Sequence, residues 1–115
     1  MVIITSENRI STSELREMAK KMFGNLVKAV VDVEKEIMAI DGELHADEQA
    51  LLLENDSRQQ DIWGINIYPD KIGSDLVEFD SVINIRPSQQ NRSRGVEDGE
   101  TRKKILEIVN KLIEK

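Results

Sequence analysis

The chain has 115 residues, of which 33% are charged and 39% hydrophobic, and a formal net charge of -6. That balance fits one folded domain over residues 1–115 with a core of ordinary size, and it excludes a disordered polar chain. With no cysteine there is no disulfide framework, thiolate metal site or cysteine nucleophile, and the acidic total opposes nonspecific attraction to nucleic acid or anionic lipid.

The apolar run after Met1 is too short for a signal peptide, and no stretch approaches the ~20 apolar residues of a membrane span. The expected setting is therefore cytoplasmic and soluble. Val2 to Thr5 is β-branched and reads as a short edge strand. Ser11 with Glu14 three residues later is a capping box, and Leu15, Met18, Ala19 and Met22 follow at helical spacing until Gly24 ends the helix. Leu26 to Val33 alternates as a half-buried strand, Glu34 to Glu36 turn the chain, and Ile37 to Ile40 return beside it. Asp41-Gly42 is a second turn signal.

Glu43 to Leu53 reads two ways: as a helix it has Asp47 for an N-cap, and as a strand it turns at Asn55-Asp56 to pair with Ile62 to Tyr68. The strand reading, Gln49 to Glu54, is preferred. Leu76 to Arg86 then alternates as the best strand of the chain, with Val77, Phe79, Ser81, Ile83 and Ile85 facing a core and Glu78, Asp80, Asn84 and Arg86 facing the other way. Pro87 ends it, and Ser88 to Gly95 forms a loop. Asp98 caps a last helix whose stripe is Ile105, Leu106, Ile108, Val109, Leu112 and Ile113. The fold expected from this order is α+β, a mainly antiparallel sheet of about five strands with two amphipathic helices packed on one face and the polar face open.

Chemistry is sought on that polar face. Asn66, Tyr68, Asn84 and Arg86 are candidate ligand contacts, and Arg92 and Arg94 in the loop could join Arg86 to hold a carboxylate or phosphate. Glu78 and Asp80, two apart on one strand face, suit a hard cation such as Mg²⁺ or Mn²⁺, or shift each other's ionisation. His45, the only histidine, makes a base or metal ligand with Glu43, which would share its face in an extended segment. The plainer alternatives are a hydrogen-bonded structural histidine, carboxylates neutralised by Arg86 and Lys28, a solvated arginine loop, and Trp63 as core filler. No glycine-rich phosphate loop, nucleophile elbow or zinc-finger spacing is present, and nothing points to an organic cofactor.

The runs DGELHADEQALLLEN, DIWGINIYP and EFDSVINIRPSQQNRSRGVED resemble a small prokaryotic family known only as a domain of unknown function, over Leu15 to Leu112. The resemblance implies no activity, substrate or cofactor, and Asp41-Gly42 and Asn55-Asp56 depart from the Gly-Gly or Asn-Gly turns that go with it, the second more than the first. Three functional expectations follow. The first is a domain that uses its polar sheet face to bind a small anionic ligand or a protein partner, nucleic acid being disfavoured. The second is a metal-assisted or acid-base enzyme acting on a phosphate-bearing substrate, phosphodiesterase- or nuclease-like, with His45, Glu78 and Asp80 as its catalytic groups. The third is an interaction or homo-oligomer module built on the edge strand and Tyr68.

Overall fold

A computed structural model describes all 115 residues. The elements in chain order are β1 (Val2–Ile4), β2 (Ile10–Ser11), α1 (Thr12–Met22), β3 (Val27–Asp32), β4 (Ile37–Ile40), α2 (His45–Glu54), β5 (Ile62–Ile67), β6 (Val77–Glu78), α3 (Gly99–Leu112) and β7 (Ile113–Glu114). Five strands form an antiparallel sheet in the order β1-β4-β3-β5-β6, and β2 pairs in parallel with β7 to tie the start of α1 to the end of α3. The fold is α+β, as its alternating patterns imply. No helix is long and apolar enough to cross a membrane.

Alternation decides what each face of the sheet meets. Val27, Ala29 and Val31 of β3, Met38 and Ile40 of β4, and Trp63, Ile65 and Ile67 of β5 lie in one core of twenty residues with Leu15 and Ala19 of α1 and Ile105, Ile108, Val109 and Leu112 of α3. The capping box at Ser11 and Glu14 forms, Asp98 caps α3 through Thr101, and Gly24 closes α1 at φ 91°. Lys104 and Lys111 of α3 both grip Glu36 in the β3–β4 turn at 3.1 Å and hold its carboxyl below the usual carboxylate range.

The other face is not open. Val30, Ala39 and Ile62 form a second, smaller core with Leu52, and Leu51 and Ile83 pack against it. Burying Leu52 alone contributes roughly 2 kcal/mol. Gln49 to Glu54 is therefore helix and not strand, and the molecule has three helices, two on one face of the sheet and one on the other. The helix starts at His45 with Leu44 as an N-cap that offers no side-chain bond, so Asp47 is inside it, and Asn55 and Asp56 are its end and not a hairpin turn.

The strand expected from Leu76 to Arg86 stops at Glu78. Beyond it Ser81 accepts a hydrogen bond from the Ile83 backbone and starts a short 3-10 turn, Val82–Asn84. The Asn84 side chain then does what a strand backbone would have done: its Oδ1 accepts from Gly64 N at 2.8 Å and its Nδ2 donates to Gly64 O at 2.9 Å. This turn leaves Val82 and Ile85 exposed, against the expectation that Ile85 is core.

Gly64 is required at this seam, since a Cβ there would lie 2.6 Å from Ser81 Cβ. Gly64→Ala is expected to destabilise the protein by about 1–3 kcal/mol, seen as a lower midpoint in chemical denaturation. An unchanged midpoint would show that the seam has slack.

Candidate functional site

Three side chains lie in register across one end of the α2-facing surface: Lys28 on β3, Asn66 opposite it on β5, and Glu78 opposite Asn66 on β6. His45, the first residue of α2, is buried and its Nε2 is 2.7 Å from Ile65 O, next to Asn66 in the strand. A carbonyl only accepts, so Nε2 carries the hydrogen and Nδ1 has its lone pair free. No protein group bonds Nδ1, and it is not sealed from solvent. Burial lowers the His45 pKa below its ordinary 6.5, partly offset by the Ile65 hydrogen bond, with Lys28, Asp80 and Arg94 as the charges acting on it.

Asn66 is 7% exposed. Its amide nitrogen donates to Glu78 Oε1 at 2.9 Å and to Asp80 O at 3.5 Å, while its Oδ1 is buried and has no partner. Tyr68 donates its hydroxyl to the same Glu78 Oε1 at 2.9 Å, and its pKa is raised by burial and by that carboxylate. Arg94 Nε meets Asp80 Oδ1 at 2.5 Å in an exposed pair. Glu78 Oε2 and Asp80 Oδ2 make no hydrogen bond within the protein.

One turn along α2 from His45 lies Glu48. It is fully buried, its Oε2 accepts from Gly42 N at 2.9 Å, and its Oε1 has no partner. Burial pushes its pKa up to about 9 against the opposing pull of the Gly42 hydrogen bond and Lys28, so it is protonated at neutral pH. Of the three buried, unpartnered polar side-chain atoms of the molecule, Asn66 Oδ1 belongs to this row and Glu48 Oε1 lies one helical turn from His45.

His45, Asn66, Tyr68, Glu78, Asp80 and Arg94 are brought together here. Asn84 and Arg86 are not. Asn84 is fully buried and spent on Gly64 and Arg94 O. Arg86 stacks 4.0 Å above the Trp63 ring and donates to Gln59 O and Ile62 O, the latter at 2.5 Å, with burial lowering its pKa. Arg92 is exposed in the loop, so the three arginines do not converge on an anion. Glu43 is exposed ahead of α2, and no group of three or more His, Asp or Glu side chains is placed to hold a metal ion. Asp80 is neutralised by Arg94, and Lys28 instead lies 4.9 Å from the Phe23 ring.

Lys28 and Glu48 are the members the sequence reading passed over as site residues. Glu48 is three residues after His45, the spacing that shares a helix face, and that signal is invisible once the segment is read as a strand. Four surface cavities lie elsewhere, the most apolar being about 410 Å³ between α1, Pro69 to Ile72 and Ile113; none is lined by His45, Asn66, Glu78 or Asp80.

No curated protein matches the chain, and no solved structure does. A family model matches residues 2–112, nearly the whole fold, and by that match the chain belongs to the family described as a protein of unknown function, DUF5674.

Proposed function

We propose that this protein is a binding domain whose site is the polar row of Asn66 and Glu78, with His45 above it and Tyr68, Asp80 and Arg94 at its rim. The observation that carries this reading is the Asn66 carbonyl oxygen, buried with no partner while both amide hydrogens are committed. Such an acceptor costs about 1–3 kcal/mol unless something donates to it, and a ligand or an ordered water is the natural donor. A cysteine-free acidic chain suits the cytoplasmic setting that the proposal assumes.

The test is a fragment screen of the ¹⁵N-labelled protein with cationic, neutral and anionic small molecules. Expected are saturable shifts at the Asn66 side-chain amide, His45 and Glu78, abolished in Asn66→Leu. Shifts that map instead to the cavity between α1 and Ile113 would move the site away from this row.

A further inference from the structure

A cavity of about 490 Å³ opens on the α3 side of the sheet, between the turn before β5, the loop Gln89 to Asn91 and the start of α3. Trp63 of β5 lines it. The residue is 7% exposed, and its indole N–H donates to no group of the protein and is not sealed from solvent. Such a nearly buried donor at a cavity wall lacks an acceptor. The other walls carry unused polar valences of both kinds. The side-chain amides of Gln60 and Gln90 make no hydrogen bond within the protein. Glu97 spends Oε2 on Arg92 N and Ser93 N and keeps Oε1, while Asp98 spends Oδ2 on Thr101 and keeps Oδ1. Asn91, 2% exposed, fixes this wall by donating to Asn84 O and Gly95 O at 2.7 Å and accepting from Glu97 N at 2.8 Å. The groups are therefore held in place before a ligand arrives. No lysine or arginine lines the cavity: Arg92 acts on Glu97 from the loop, and Arg86 and Arg102 turn to backbone carbonyls.

We infer a second binding site here, separate from the row of Asn66 and Glu78, for a neutral polyhydroxylated small molecule of monosaccharide size. Its hydroxyl oxygens accept from the Trp63 N–H, its hydroxyl hydrogens go to Glu97 Oε1 and Asp98 Oδ1, and the amides of Gln60 and Gln90 serve it as donor or acceptor. A hydroxyl both donates and accepts, which is what one N–H, two amides and two carboxylate oxygens require of a ligand. An anion meets two carboxylates and no lining cation. An alkylammonium has no acceptor for the indole. An amide presents its N–H and C=O in one plane, whereas hydroxyls around a compact ring reach groups spread over β5, the loop and the start of α3. The cavity volume falls within the ~300–1,000 Å³ of small-molecule sites.

The chain has one tryptophan, so its indole ¹H–¹⁵N cross-peak reports on the cavity without ambiguity. The Asn66 amide and the His45 ring report on the row separately, so either site can fail with the other intact. The test titrates the ¹⁵N-labelled full chain with D-glucose, D-ribose and myo-inositol, then with n-butylammonium, N-methylacetamide and inorganic phosphate, and repeats the polyols on Glu97→Gln and Gln60→Ala. Glutamine at 97 keeps an acceptor for Arg92 N and Ser93 N, and Gln60 is exposed. If Glu97→Gln loses the folded spectrum, Gln60→Ala decides. Expected is a saturable indole shift with at least one polyol, at lower concentration than with the other three probes, weakened about tenfold in Glu97→Gln and about threefold in Gln60→Ala. An indole peak that no polyol moves, a polyol shift indifferent to both variants, or tighter binding of the ammonium, the amide or phosphate would overturn the inference.

Discussion

Asn84→Leu is expected to cost about 4 kcal/mol of stability, since each buried backbone group left unpaired carries about 1–3 kcal/mol. The substitution keeps the branching and heavy-atom count of the side chain but strips Gly64 N and O and Arg94 O of their partner at once. Water cannot replace it, because Asn84 is fully exposure-free and Gly64 lies inside the sheet between Trp63 and Ile65. The measurement is a urea melt: the midpoint falls sharply with the slope unchanged. A shift below about 1 kcal/mol would show that the 3-10 turn re-pairs with β5 through its backbone.

Glu48→Gln is the second large effect, and its sign depends on pH. The folded pKa of about 9 stands above the ordinary carboxyl value of 4.5, so between those values the folded state holds a proton that the unfolded state has lost. Stability contributed by the protonated form is complete below the unfolded value and declines as pH rises toward the folded one. Glutamine keeps the shape and the Gly42 contact without titrating. Relative to wild type the variant should therefore be equal near pH 4 and more stable by roughly 3 kcal/mol at pH 7. Equilibrium unfolding of both proteins across that range checks it. A constant difference between them would mean that Glu48 ionises normally in the fold.

Much of the architecture was legible because backbone and side-chain patterns agree. The β3, β4 and β5 strands, the capping box at Ser11 and the Asp98 cap were all marked by local chemistry and lie where that chemistry puts them. Two segments misled for physical reasons. Leu51, Leu52 and Leu53 are consecutive, so α2 has no clean stripe, and its N-cap, Leu44, offers no side-chain bond. From Leu76 to Arg86 the alternation is regular, but Ser81 and Asn84 turn their side chains onto backbone groups and end the strand early.

Those two errors together shaped the reading of the site. With α2 taken as a strand, His45 and Glu48 could not be placed over the sheet, and the face appeared open. With the strand drawn through to Arg86, Asn84 and Arg86 seemed to share a surface with Glu78. The part that needs only β5 and the start of β6 held together: Asn66, Tyr68 and Glu78 do meet through one carboxylate oxygen. His45 reaches them because α2 crosses the sheet, which no local pattern announces.

The central claim is that this end of the sheet offers free acceptors, and the single histidine reports on it directly. A long-range ¹H–¹⁵N correlation spectrum at pH 7 shows one imidazole with no assignment ambiguity. The account predicts a neutral ring protonated at Nε2, a lone pair at Nδ1, and titration below the ordinary value of 6.5. A ring protonated at Nδ1, or an imidazolium at pH 7, would contradict it.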